Sequence, residues 1–421
     1  MNVPLSKPDI GEVEIEYVTR VLRSGQLSLG PVVREFEEKF AAYIGARYAV
    51  AVNSGTSALH LCVRALGIGP EDEVLTTSFS FVASANCLLF ERALPVFIDI
   101  DPATLNIDPE GIRRFLRTRC ASNGHKGGLL DKRTGRKVKA ILPVHVFGLP
   151  CNMNPILDLA REYGLRLIED ACEAVGAEYR GRRVGTLGDV GVFAFYPNKQ
   201  MTAAEGGMIL TNDARIAELC RSMRNQGRGP DSSWLQHVRL GFNYRLSDVH
   251  CALGLAQLER IDTLLRAREA VANAYNRALS GNPLVTLPGE MPDAKRSWFV
   301  YVIQLLDSCP RQLRDRVLHR LREQGVGCQV YFPPIHRQSY MEEYGVAASP
   351  PLPRTESVSD RCLALPFFAG LTEEQISHVR DVLVRTLEEE AGALVSASQP
   401  ANQHPRRQPS KLKATEPSYA D

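Results

Sequence analysis

The chain has 421 residues, 44% of them hydrophobic, enough for one large domain and a smaller one. Its 50 basic residues nearly cancel its 48 acidic ones, leaving a formal net charge of +2, so no strong field points to nucleic acid or to an anionic membrane. The 10 cysteines are scattered, with no Cys-x-x-Cys pair and no zinc-ligand spacing to histidine, and read as buried, reduced thiols rather than a metal site.

The segment from Met1 to Pro8 has no apolar core of signal-peptide length, and no stretch approaches the roughly 20 apolar residues that span a bilayer. The expectation is a soluble, cytoplasmic protein. From Tyr48 to Thr211, short apolar runs alternate with helical patterns. The runs are Tyr48–Val52, Glu73–Thr76, Val96–Asp99, Ala140–His145, Arg166–Glu169, Val190–Phe195 and Gly207–Thr211. Several are almost continuously apolar, as for strands covered on both faces. Between them, Ala58, Leu61, Cys62, Ala65 and Leu66 recur at helical spacing, and Asp108-Pro109 reads as an N-cap followed by proline at the first helical position. The alternation predicts an α/β domain with a mostly parallel sheet; periodicity leaves one antiparallel connection open.

The polar, basic stretch Ser122–Lys137 reads as a solvated surface insertion, with a nucleotide-grasping loop as the alternative. From about Ser247 a long helical pattern through Leu258, Ile261, Leu264 and Leu265 predicts a connecting helix. A second unit follows: a strand-like run Trp298–Leu305, a helix near Gln312–Gln324 and a strand near Gly327–Tyr331. The last helix starts at Thr372, with Gln375 completing a capping box, and fades near Glu390. Ser396–Asp421 has little to bury and reads as a disordered tail. The expected domains are residues 1–260, residues 261–390 and a tail over 391–421.

Ligands of open α/β sheets sit outside the carboxyl ends of the strands. The first strand ends at Asn53-Ser54-Gly55-Thr56-Ser57 and turns into a helix, which suits a phosphate or is an ordinary cap. The second leads into Thr77-Ser78-Phe79-Ser80-Phe81-Val82, where an aromatic either covers a planar ring or belongs to the core. The fifth ends at Asp170. A buried aspartate there needs a cation, such as a protonated pyridine nitrogen; the alternative is an N-cap. The sixth ends Phe195-Tyr196-Pro197-Asn198-Lys199-Gln200, just before Glu205-Gly206-Gly207. A desolvated Lys199 has a lowered pKa and can condense with an aldehyde, whereas in isolation a surface lysine is the plainer reading.

These features follow successive strands in one order, with Asp170 29 residues before Lys199. In this the chain resembles the DegT/DnrJ/EryC1/StrS family of sugar aminotransferases, which are fold type I pyridoxal 5'-phosphate (PLP) enzymes. The resemblance runs from about Leu5 to about Leu387. It rests on Ser24-Gly25, Gly30-Pro31 with Phe36-Glu37, Asn53-Ser54-Gly55-Thr56-Ser57-Ala58-Leu59-His60, Asp72-Glu73-Val74, Ile168-Glu169-Asp170-Ala171, the Lys199 segment, Glu205-Gly206-Gly207-Met208 and Gly241-Phe242-Asn243-Tyr244-Arg245-Leu246. Tyr331, Pro334, His336 and Leu365-Pro366 also match. It implies a large α/β domain with a mostly parallel seven-stranded sheet and a smaller C-terminal α+β domain. The implied reaction moves an amino group from glutamate or glutamine to a keto sugar, nucleotide-linked, in amino-sugar or surface-polysaccharide synthesis. Carried over by position, Lys199 holds PLP covalently and moves the proton, and Asp170 pairs with the pyridinium nitrogen. Phe81 stacks on the ring, and Gly55, Thr56 and Ser57 hold the phosphate. Asn243 reaches the phosphate in a neighbouring subunit, which implies a homodimer with shared sites.

Three positions depart from the commonest family pattern. Ala194 replaces a phosphate-binding serine, so one hydrogen bond is missing or another group such as Ser78 supplies it. Glu173 stands where Gln or His often lies near the cofactor's phenolic oxygen, and a carboxylate there is repulsive unless protonated or turned away. Ala204 replaces a glycine, so its turn is expected to avoid positive φ. His145 is read as a satisfied structural histidine, with a pocket-facing role as the alternative. Tyr331 and His336 are assigned to the sugar site, and Arg245 to an anion or to bracing an interface. The rival functions are transamination of a cyclitol or other keto acceptor, a sugar dehydratase of the branch that typically has histidine in place of the lysine, and a non-catalytic regulator keeping the fold.

Overall fold

The computed structural model describes residues 1–122, 128–229, 236–306, 311–344 and 350–398. The apolar runs of the first half are all strands. In spatial order the main path of the large sheet runs Tyr48–Val52, Gly207–Thr211, Val190–Ala194, Arg166–Asp170, Lys137–Leu142, Asp72–Thr77 and Leu94–Ile98. Along this path only Gly207–Thr211 is antiparallel, pairing Tyr48 with Thr211 on one side and Val190 with Thr211 on the other. The reason is local: the chain between Ala194 and Gly207 contains no helix, so it cannot make the crossover that a parallel neighbour requires.

Val190–Ala194 and Gly207–Thr211 are buried at every residue. Alternate side chains of these strands and of Arg166–Asp170 feed two separate cores. Leu167, Phe193 and Met208 join Phe36 and Phe40 on one face, while Ile168, Val192 and Ile209 join Val50 and Leu59 on the other. The edge strand Tyr48–Val52 is capped rather than left open. The Ala51 amide donates to Glu37 Oε1 at 2.9 Å, and Arg221 donates to the Ala49 carbonyl at 3.2 Å, which blocks pairing with a foreign strand.

A three-stranded sheet of Val285–Thr286, Tyr301–Leu305 and Cys362–Leu365 carries a third core with Tyr275, Tyr301, Leu363 and Leu383. The connecting segment is two helices, Asp248–Glu259 and Ile261–Leu279, broken at Arg260. The second gives Ile261 and Leu264 to a core of the large sheet and Val271 and Tyr275 to the third core. Val3 also belongs to the third core, so the chain's first residues pack with its last third.

Several expectations change. Part of the insertion Ser122–Lys137 is strand: Leu129–Asp131 pairs antiparallel with Cys120–Ser122 and with the Lys137–Leu142 strand, driven by the buried side chains of Leu129 and Asp131. Residues 123–127 of that insertion lie outside the described residues. The strand expected near Gly327–Tyr331 is a single bridge from Gln329 to Ala364. The last helix has its Thr372–Gln375 capping box and runs past Glu390 to Ser398. The rest of the expected tail lies outside the described residues. Among those described, no helix is long and apolar enough to cross a membrane.

Candidate active site

The strands ending at Val52, Asp170 and Ala194 all point the same way, so their carboxyl ends share one edge of the large sheet. At the first, Ser54 is the N-cap of Gly55–Ala65. Its hydroxyl oxygen accepts the Ser57 amide at 3.1 Å and pairs with the Ser57 hydroxyl at 2.9 Å. Gly55 and Thr56 occupy the first turn, whose amides have no acceptor within the helix and lie at the positive end of its dipole. Gly55 is required by packing: a Cβ there would lie 2.8 Å from Ala194 Cβ and 3.0 Å from Cys172 Sγ. The expected phosphate turn thus rests directly on the ends of the other two strands, and the Ala194 methyl faces it.

Asp170 is buried. Its carboxylate accepts the Ser84 hydroxyl at 2.8 Å and the Cys172 amide at 3.2 Å. Among the described residues it forms no ion pair, and a buried carboxylate in that state calls for a cation. Ser84 is bonded in turn to Ser80 at 2.9 Å, and the next residue, Phe81, exposes 60% of its surface at the mouth of that loop.

Lys199 lies in a tight turn in which its amide donates to the Tyr196 carbonyl at 2.9 Å. Its side chain is only 13% exposed, with Nζ 3.9 Å from the centroid of the Phe299 ring and 3.8 Å from Glu173 Oε1. The other Glu173 oxygen accepts the Phe147 amide at 2.9 Å. Phe147 holds a left-handed backbone, φ 53°, which aims that amide at the carboxyl. Burial pushes the Glu173 carboxyl up, and the Lys199 cation draws it partly back. Glu173 is therefore not turned away from Lys199, and burial holds its carboxyl above the usual carboxylate range.

Tyr331 stacks within a wall of Phe147, Phe299 and Phe332, and burial, then the Glu173 charge, raise its phenol. His336 belongs to a different contact. Its Nδ1 meets the Ser78 hydroxyl at 2.7 Å, its backbone amide donates to the same oxygen at 3.1 Å, and its Nε2 meets Glu356 at 3.1 Å. Ser78 is thereby engaged and does not replace the hydroxyl missing at Ala194. His145 is fully buried: Nδ1 accepts the Cys151 amide at 3.0 Å, so Nε2 carries the proton and donates to Glu169 at 3.2 Å. It is a satisfied structural histidine.

Asn243 is exposed and, among the described residues of this chain, makes no hydrogen bond to the Lys199 group. Its neighbour Tyr244 accepts the Asn53 amide at 3.0 Å, immediately before the phosphate turn. Arg245 donates to Asn225 Oδ1 at 3.1 Å and so braces its own segment. The turn at Ala204 does not avoid positive φ: it sits at 63°. Its amide is held by Thr202 Oγ1 at 2.9 Å, whose hydroxyl donates to the Phe195 carbonyl at 3.0 Å, and the methyl points to solvent. These bonds offset a strain of about 1 kcal/mol.

Sequence reasoning missed Phe299 and Ser84. The spacing of Ser80 and Ser84, one helical turn apart on either side of Phe81, is a usable signal; nothing local marks Phe299. A cavity of about 470 Å³ between Arg34, Arg47 and Arg221 lies at the opposite, amino end of Tyr48–Val52 and takes no part in this group.

The residues fit a phosphorylated pyridinium aldehyde. The Gly55 turn suits a phosphate, the unpaired Asp170 a cationic ring nitrogen, the open face of Phe81 a flat ring, and the Lys199 amine an aldehyde. The DegT/DnrJ/EryC1/StrS aminotransferase family model matches residues 8–384. GDP-perosamine synthase of Caulobacter vibrioides is 39% identical over 389 residues, 92% of this chain and 98% of that protein. Spore coat polysaccharide biosynthesis protein SpsC of Bacillus subtilis is 35% identical over 90% of this chain and 95% of its own. The solved structure of DesV from S. venezuelae superposes with a TM-score of 0.79 at 32% identity, covering 92% of this chain and 99% of that one.

Proposed function

The chain belongs to the DegT/DnrJ/EryC1/StrS family and is a PLP-dependent sugar aminotransferase, and from that premise we propose that it moves an amino group from glutamate or glutamine to a keto sugar linked to a nucleoside diphosphate. The observation that carries the reading is the buried Asp170 carboxylate, without a cationic partner among the described residues, at the same sheet edge as the Lys199 amine. The GDP-linked product in the name of the Caulobacter relative supports the nucleotide, and the Bacillus relative supports a role in surface polysaccharide.

Bound PLP supplies a cationic ring that withdraws electrons from the carbon bearing the transferred nitrogen. The roles of this chain's residues follow. Lys199 Nζ would hold the cofactor covalently and, as a free amine, would move a proton at the substrate carbon. Asp170 keeps the ring nitrogen protonated. Phe81 covers one ring face. Gly55, Thr56 and Ser57 hold the phosphate, with one hydroxyl fewer because of Ala194. Glu173 would lie near the phenolic oxygen, where a proton on its carboxyl would turn repulsion into a hydrogen bond. Tyr331 offers an aromatic wall to the sugar. Asn243 reaches the phosphate in a second copy of the chain, in a cytoplasmic homodimer; its exposure, and that of Phe81, Phe90 and Leu240, supports such a partner.

The test is turnover. Purified enzyme with L-glutamate or L-glutamine is offered keto-hexoses linked to GDP, UDP or dTDP, and separately cyclitol ketones, and products are read by mass spectrometry. An aminated nucleotide sugar, formed with the donor's keto acid, is expected. Amination of the cyclitols alone would replace the acceptor assigned here.

A further inference from the structure

Arg268, in the middle of Ile261–Leu279, is 4% exposed. A guanidinium so buried is ordinarily matched by a carboxylate. Among the described residues Arg268 has no ion pair: Asp9, the acid whose field it feels, is bonded to Arg260. Its donors go to main-chain carbonyls. Nη2 donates to Lys199 at 2.7 Å and to Asn198 at 3.4 Å, and Nη1 donates to Phe299 at 3.2 Å. Burial lowers its pKa to about 10, which leaves it charged at neutral pH.

The two residues in its main grip are the two that meet at the amine, since Lys199 Nζ lies on the Phe299 ring at 3.9 Å. Those residues are 100 apart in the chain and have no element in common. The planar fork of one guanidinium spans both carbonyls, which a lysine ammonium on a flexible stem does not do. The helix that carries it is fixed at Leu264 in the core of the large sheet and at Val271 in the core of the small one. We propose that Arg268 is a positioning residue, holding the Lys199 turn against Phe299 so that the amine is aimed from the helix joining the two cores. This rests on Lys199 being the residue that takes up PLP.

The test separates aim from stability. Cofactor-free protein is mixed with PLP and quenched with borohydride at timed intervals, and the label on the Lys199 peptide is quantified by mass spectrometry. Arg268→Lys and Arg268→Gln are compared with Tyr275→Phe, which removes a buried 2.9 Å hydrogen bond to the Pro366 carbonyl from the same helix without approaching Lys199. Both Arg268 variants are expected to slow labelling roughly tenfold or more and to lower kcat more than they raise the donor's KM. Tyr275→Phe is expected to lose stability and keep the wild-type rate. If Arg268→Gln does not fold, Arg268→Lys carries the comparison. Labelling of the Arg268 variants at the wild-type rate, or equal slowing by Tyr275→Phe, overturns the proposal. Wild-type label on another lysine overturns the Lys199 reading and this one with it, and the labelled peptide tells the two failures apart.

Discussion

Glu173 Oε1 lies 3.8 Å from Lys199 Nζ, while its second oxygen is held by the Phe147 amide. The pair sets a buried acid whose protonation is favoured by burial against a cation that opposes it. Burial dominates, so the carboxyl titrates above its ordinary value of 4.5. A group raised in the fold contributes its full stability below the unfolded value and loses it as the pH climbs through the folded one. Glu173→Gln does not titrate. Compared with wild type, its cofactor-free stability in urea is expected to shift in its favour as the pH rises from about 4 to about 8. A difference that does not vary with pH would contradict a buried proton on Glu173.

Gly55 and Ala194 make a second pair. A methyl at 55 would lie 2.8 Å from Ala194 Cβ. Gly55→Ala is expected to cost about 1–3 kcal/mol of stability and to release PLP on gel filtration, because relief of the clash moves the phosphate turn. Ala194→Ser puts a hydroxyl beside the same turn. It is expected to slow PLP loss several-fold, in line with about 0.5–1.5 kcal/mol for one added hydrogen bond. Unchanged loss would mean that the Ala194 side does not face the phosphate.

Ala204→Gly tests backbone strain. At φ 63° alanine gives up about 1 kcal/mol that glycine does not, apart from the entropy glycine adds to the unfolded chain. The variant is expected to unfold at slightly higher urea with unchanged turnover. A loss of stability would show that the entropy glycine adds to the unfolded chain outweighs the strain at Ala204.

The expected order of strand, phosphate turn, acid and lysine was readable because strands buried on both faces leave continuous apolar runs, and the residues after them fall on one sheet edge. The neighbours of Gly207–Thr211 were not readable, because periodicity does not encode sheet order. Leu129–Asp131 was hidden among basic residues at a half-solvated edge. The Ser78–His336 bond joins positions 258 apart, and the Phe299 ring meets Lys199 from 100 residues further along the chain. The positive φ of Ala204 goes with hydrogen bonds of the Thr202 hydroxyl, which the local residue pattern does not encode.

His145 offers a control away from the chemistry. Both of its ring nitrogens are satisfied, one by Cys151 and one by Glu169. His145→Asn is expected to cost about 1–3 kcal/mol in urea unfolding through the polar groups it strands, while the protein keeps PLP and its donor specificity. Loss of cofactor chemistry at unchanged stability would move His145 into the active site.

The proposed function requires that Lys199 hold PLP and that glutamate or glutamine load it with nitrogen. The most direct measurement is the visible spectrum of the purified protein with PLP, before and after L-glutamate or L-glutamine, with Lys199→Ala alongside. The wild type is expected to show a visible band that either donor shifts to the amine form, with release of 2-oxoglutarate when the donor is glutamate, and the mutant is expected never to form the lysine-bound band. A wild-type band untouched by both donors would contradict the assigned donors, and the same band in Lys199→Ala would contradict the assigned lysine.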